Sequence, residues 1–239
     1  MKMKTNSNSY TIAYSAILVV IVAFLLAFVF QALKPAQDAN VALDKKKQIL
    51  SALNIRDLDD EASAAKYKEV VKADVVFTSS DQTLPKDLNR YTGENDGFKL
   101  NSSDYKAGKY VLYVCEVNGQ RKYVIPVYGM GLWGPIWGYI ALDADCSKVY
   151  GAYFNHESET AGLGAEIKDN RQWQEKFQGK KVVDAQNNII LGVEKDVKNP
   201  QSEVDAVTGA TLTSKGVDAM LKDCIGKYKS FIEKNEEVK

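Results

Sequence analysis

From Thr11 to Leu33 the chain reads TIAYSAILVVIVAFLLAFVFQAL, about 23 residues without a charged side chain. As a helix rising about 1.5 Å per residue, this run exceeds a bilayer's hydrocarbon core of roughly 30 Å, so it predicts a single membrane-spanning helix. A cleaved secretory signal would also carry a basic leader such as Lys2 and Lys4. Its apolar region is usually about 7–15 residues and ends at a small-residue cleavage site, and neither feature fits. The reading is therefore a retained anchor. Lys2 and Lys4 flank one end and Lys34 and Lys45 to Lys47 the other. The count of basic residues does not choose an orientation.

The remaining length suits one sizeable domain rather than two. Lys plus Arg and Asp plus Glu both total 31 and are spread along the chain. No basic block suggests a nucleic-acid groove, and nucleic acid is not an expected partner. Cys115, Cys146 and Cys224 stand far apart, without the paired spacing of a zinc or iron–sulfur site. Their simplest reading is three small core residues, with a Cys115–Cys146 disulfide left open.

After Pro35 a polar stretch leads into a short membrane-proximal helix at LDKKKQILSALNI, and EASAAKYKEVVK gives a second helical stretch before ADVVF. YVLYVCEV and QRKYVIPVYG flank Asn118-Gly119, the strongest short-range hairpin signal. WGYIALDA and SKVYGAYF, about a turn near Asp145, predict another hairpin. RQWQEKF predicts a short helix and KKVVDAQNNIILGVEKD a strand, an Asn-rich turn and a strand. Val217, Met220, Leu221, Cys224, Ile225, Tyr228 and Ile232 recur at helical spacing, giving an amphipathic C-terminal helix. The expected fold is α+β: a leader at 1–10, a transmembrane helix at 11–33, a helical segment at 34–72, and an antiparallel-sheet domain at 73–239 closed by that helix.

Small residues and hydroxyls crowd the start of the last helix in DAVTGATLTSKGVDAML. Unpaired N–H groups and the positive end of the helix dipole favour an anion there. Gly209 and Ala210 let the backbone approach a ligand. Thr208, Thr211, Thr213 and Ser214 offer hydroxyls that would either bond phosphate oxygens or cap the helix. In GLWGPIWGY the indoles of Trp133 and Trp137 either cover a flat ring or fill the core. SETAGLGAE is a glycine-containing loop in which Glu159 either accepts hydrogen bonds or stands in solvent. His156, the one histidine, has no evident catalytic partner and reads as structural.

Thr208 to Ser214, TGATLTS, resembles the flavinylation motif of the FMN-binding domain family, in which a flavin transferase joins the phosphate of flavin mononucleotide (FMN) to the last threonine. That match implies covalent FMN on Thr213, with Thr208, Gly209, Ala210, Thr211 and Leu212 around the phosphate end. Gly131 to Tyr139 and Glu159 to Glu166 are similar to two loops of one branch of that family, the C subunits of the sodium-translocating NADH:quinone reductases. By that likeness Leu132, Trp133, Glu159, Thr160, Gly162 and Leu163 line the flavin. Ala161 stands where that loop usually has proline, which removes a fixed φ.

The resemblance implies an electron-relaying subunit in a bacterial inner membrane, its domain periplasmic, bound to the other subunits of the complex and matured by a flavin transferase. No glycine turn of the nicotinamide-binding kind is read in the chain, so NADH would be oxidised on another subunit. One helix gives no ion path, so sodium would cross elsewhere. The alternatives are the G subunit of the related Rnf-type ferredoxin:NAD complex and a membrane-tethered binding module without cofactor. A hydrolase using Thr213 or Ser214 has neither GxSxG nor SxxK about those residues.

Overall fold

The computed structural model describes residues 7–78 and 96–236. Lys2 and Lys4 of the leader lie outside the described residues. The chain divides into two compact units, residues 1–45 and 46–239.

In the first unit, helix α1 begins at Asn8 and continues without interruption to Ala52. Ile12, Leu18, Phe24, Phe28 and Leu33 are exposed along it, and the helix is long and apolar enough to cross a membrane. The sequence suggested a break after Pro35 and a separate short helix. Instead Pro35 lies inside α1, where its missing N–H removes one hydrogen bond but leaves the turns on either side intact.

In the second unit the last turns of α1 belong to the core, because Ile49, Leu50, Ala52 and Leu53 are buried in one cluster with the sheet. Helix α2 (Asp60–Val70) starts at Asp59, whose carboxylate accepts from Ala62 N–H. It buries Tyr67 and Val70 and runs directly into β1 (Val71–Thr78). Residues 46–72 therefore fold with the sheet rather than as a separate membrane-proximal piece.

Strands β1, β2 (Lys109–Val117), β3 (Gln120–Met130), β4 (Pro135–Leu142) and β5 (Val149–His156) pair in chain order as one antiparallel sheet. Asn118 and Gly119 both take positive φ, as the predicted NG hairpin demands. Along β3, Tyr123 to Val127 are buried without alternation, so the sheet is covered on both faces. Short helices α3 (Ser102–Lys106), α4 (Glu166–Asp169) and α5 (Arg171–Glu175) close its ends, with Trp173 and Phe177 packed on Phe154 of β5.

The stretch expected as strand, turn and strand is mostly turn. Val183 and Ile189 form a single bridge, and the Asp184 carboxylate collects the N–H groups of Gln186 and Asn188. A side chain that satisfies backbone donors locally competes with the ladder. Pairing resumes in β6 (Gly192–Glu194), which runs parallel to β7 (Glu203–Asp205).

The C-terminal helix is likewise two helices, α6 (Thr211–Gly226) and α7 (Lys229–Glu236). Every apolar position predicted on its face is buried. Tyr228, between the two, turns inward to donate to Val111 O at 2.7 Å. None of the three cysteines forms a disulfide, all are buried, and burial raises the thiol pKa of both Cys115 and Cys224.

Candidate functional site

Three segments far apart in sequence meet at the first turn of α6. The first is the connection Gly131–Gly134 between β3 and β4, closed by Gly131 N–H donating to Gly134 O at 2.8 Å. The second follows β5, where Glu157 N–H bonds Pro135 O and the chain then turns through residues 159–165. Thr160 O accepts from both Leu163 and Ala165, and Gly162 supplies the positive φ that this turn needs. The third is the turn Val207–Ala210 that leads into α6, with Gly209 at φ +76.

Glu159 ties them together. Only 7% of its surface is exposed. One carboxylate oxygen accepts the Trp133 N–H at 2.9 Å, and the other accepts the Thr213 hydroxyl at 2.6 Å. The distance is that of a charge-assisted O–H···O bond, roughly twice as strong as a neutral one. The first turn of α6 adds the favourable end of the helix dipole beside this anion. A Cβ at Gly131 or at Gly164 would strike the same carboxylate, so both glycines are walls of its niche. Sequence reading placed both in the loops but assigned neither to the site. Their signal was present, since each ends or begins a motif that also holds a large apolar residue.

The hydroxyls of the α6 segment divide. Thr208 and Thr211 are exposed, whereas Thr213 and Ser214 are buried. Ser214 Oγ accepts Val207 N–H at 3.0 Å, fixing the turn before the helix. The N-cap is Ala210, with no side-chain cap. The helix-cap reading of these hydroxyls therefore fails: the two buried ones serve tertiary bonds, and the N–H end of α6 keeps its appetite for an anion.

The rim is apolar and open. Trp133 is 66% exposed, Leu212 57%, Leu132 47% and Leu163 43%. Trp133 is held by its backbone at both polar atoms, since its carbonyl also accepts from Ser158 Oγ at 3.2 Å. The backbone is thus fixed while the indole is left in solvent, which core filling does not explain. Trp137, by contrast, is half-buried and donates to Gln48 at 3.0 Å, a structural role. Leu163 lies over Gly209, where a Cβ would come within 2.8 Å of its side chain. Beside Gly162 and Thr208 opens a cavity of about 300 Å³, lined also by Glu166, Trp173 and Lys176.

His156 accepts Glu159 N–H through Nδ1 at 3.1 Å. Its ring steadies the loop that carries Glu159. Gly129, Gly131 and Gly134 do fall at G-x-G-x-x-G spacing, but they join two antiparallel strands and open no helix, so the dinucleotide-binding context is missing.

A buried hydroxyl, a niche walled by glycines and a rim of large exposed apolar groups fit a flat aromatic cofactor carried on a phosphate. Residues 131–226 match the FMN-binding domain family. Over 94% of its length the chain is 33% identical to the C subunit of the Na(+)-translocating NADH-quinone reductase of Haemophilus ducreyi, of which 92% is covered. It is 31% identical to that of Pseudomonas aeruginosa, over 92% of each chain. The crystal structure of the Parabacteroides distasonis C subunit superposes with a TM-score of 0.73 at 34% identity, over 84% of this chain and 96% of that one. NqrC of Shewanella oneidensis, at 20% identity and a TM-score of 0.64, covering 84% of this chain and 99% of that one, shares the fold. The likeness extends over most of the chain, and this chain belongs to the family of Na(+)-translocating NADH-quinone reductase C subunits.

Proposed function

We propose that the chain relays electrons through an FMN esterified to Thr213, as one member of a sodium-pumping NADH:quinone reductase in a bacterial inner membrane. The observation that carries this reading is the Thr213 hydroxyl, 1% exposed and bound to Glu159 beneath the exposed side chains of Leu132, Trp133, Leu163 and Leu212. FMN would supply the electron transfer, which no side chain here can perform. The chain's own residues supply position. Thr213 would hold the phosphate covalently. The N–H groups of Thr211 and Leu212, with the hydroxyls of Thr208 and Thr211, would surround its oxygens. Gly209 and Ala210 would admit its close approach, and Thr160 and Gly162 would set the loop that carries Leu163.

The apolar run of α1 would anchor the protein among its partners, with the sheet domain periplasmic. A flavin transferase would be needed for maturation, and NADH oxidation and sodium passage would fall to sibling subunits. The GLWGPIWGY loop and the likeness to C subunits favour this complex over an Rnf-type G subunit.

Mass analysis of chain from its native host tests the proposal. The peptide containing Thr213 should be about 0.44 kDa heavier than its sequence and keep yellow fluorescence after denaturation. Unmodified mass in colourless protein would leave only a tethered binding module.

A further inference from the structure

We infer that Glu159 takes the proton from Thr213 when the threonine oxygen is esterified, so that the chain carries the base for its own modification. This rests on the reading of Thr213 as the attachment point. A threonine hydroxyl is a weak nucleophile and reacts through an adjacent base. Here the base is in place: Oγ1 of Thr213 donates to Oε2 of Glu159 at 2.6 Å. The carboxylate is also held still. Trp133 N–H fixes its other oxygen, His156 accepts its backbone N–H, and the backbones of Gly131 and Gly164 pack close against the two carboxylate oxygens. The histidine, which would otherwise be the obvious base, is spent on that backbone bond.

In the step, Thr213 Oγ1 bonds to the FMN phosphorus of a phosphoanhydride such as flavin adenine dinucleotide. The anhydride P–O bond breaks, and the departing nucleotide phosphate keeps the electron pair. The proton moves from Oγ1 to Glu159 Oε2 and then to water. Nothing is oxidised or reduced.

Access requires one movement. A Cβ on Gly164 would lie 2.7 Å from Thr213 Oγ1, so the 162–164 turn roofs the hydroxyl. Glu159 lies before that turn and is tied to the Trp133 loop. The roof can therefore lift at Gly162 and Gly164 while the base stays beside its hydroxyl.

The test uses full-length unmodified chain in detergent, purified flavin transferase and flavin adenine dinucleotide, and follows the gain in mass with time. Glu159→Gln should slow modification about 100-fold or more at saturating chain, with the half-saturating chain concentration unchanged. Glu159→Ala should be as slow, and formate, a carboxylate small enough for the vacated niche, should restore it about 10-fold or more. Wild-type speed in Glu159→Gln overturns the inference while leaving attachment at Thr213 intact. Slow modification with a raised half-saturating concentration and no response to formate overturns it as well, since Glu159 would then only position the loops. Wild-type chain that gains no mass on Thr213 under the same conditions, with a known target modified alongside, overturns both this inference and the attachment reading.

Discussion

At its C-terminal end helix α6 is packed among tyrosines, and at its N-terminal end it is walled by glycines. Near Tyr228, the side chains of Phe77, Tyr105 and Tyr110 fill the space in edge and tilted ring contacts. The hydroxyls there serve the backbone: Tyr228 donates to Val111 O and Tyr105 accepts Val111 N–H, beyond the stretch of β2 that pairs with β3. Near Thr213 the polarity of inside and outside is reversed, with a carboxylate and a hydroxyl buried and tryptophan and leucines in solvent. One end spends its volume on stability. The other withholds volume, and the withheld space is where a ligand belongs.

Five measurements put that contrast at risk, and the largest effect should come from the site end. Thr213→Ala is expected to abolish the gain of about 0.44 kDa entirely, while Thr213→Ser keeps it. Flavin retained on the alanine variant would move the attachment to Thr211 or Ser214. At the packed end, Tyr228→Ala should cost about 3–5 kcal/mol, lowering the melting temperature by roughly 6–20 °C, yet leave the modification on folded protein intact.

The packed end should also be the part that fails in alkali. Burial raises the phenols of Tyr105 and Tyr113, and burial pushes Tyr128 up to about 12. Each such group stays protonated in the folded chain while its unfolded counterpart ionises above about pH 10. Their stabilising contribution is whole below that pH and is lost as pH rises through the folded values. Denaturant unfolding free energy should fall between about pH 10 and 12 by about 1.4 kcal/mol per pH unit for each proton so withheld. A flat profile would mean the tyrosines are not sealed from water.

Gly164→Ala places a methyl against both Glu159 and Thr213 and should cost about 1–3 kcal/mol while slowing flavin attachment. Unchanged melting and unchanged modification would show that the niche is loose. The smallest effect on stability belongs to the rim: Trp133→Ala should shift it by less than about 0.5 kcal/mol, because the indole is exposed, and still change the fluorescence of the attached flavin. A loss of several kcal/mol would make the indole a packing residue instead.

The same division governs what could be read without a structure. The NG hairpin was legible because Asn118 and Gly119 accept positive φ locally. The buried face of α6 was legible because its period is helical. Less legible was the continuity of α1 through Pro35, since the proline rule describes one lost bond and not the strength of the turns around it. The parallel pairing of β6 with β7 left no mark, because three-residue strands are too short for a pattern. Within the site, the motif residues were visible but their inward or outward sense was not. TGATLTS presents hydroxyls in a row, and nothing local says that Thr213 and Ser214 turn in while Thr208 and Thr211 stay out.

Local sequence was enough for the apolar anchor, the hairpins and the amphipathic helix, because each depends on neighbours within a few residues and on a fixed local period. It took the folded chain to bring Glu159 against Thr213, residues 54 apart in sequence, and to enclose them between Gly131 and Gly164. A hydrogen bond across that span is closed by the packing of β3, β5 and α6 and has no local propensity to announce it.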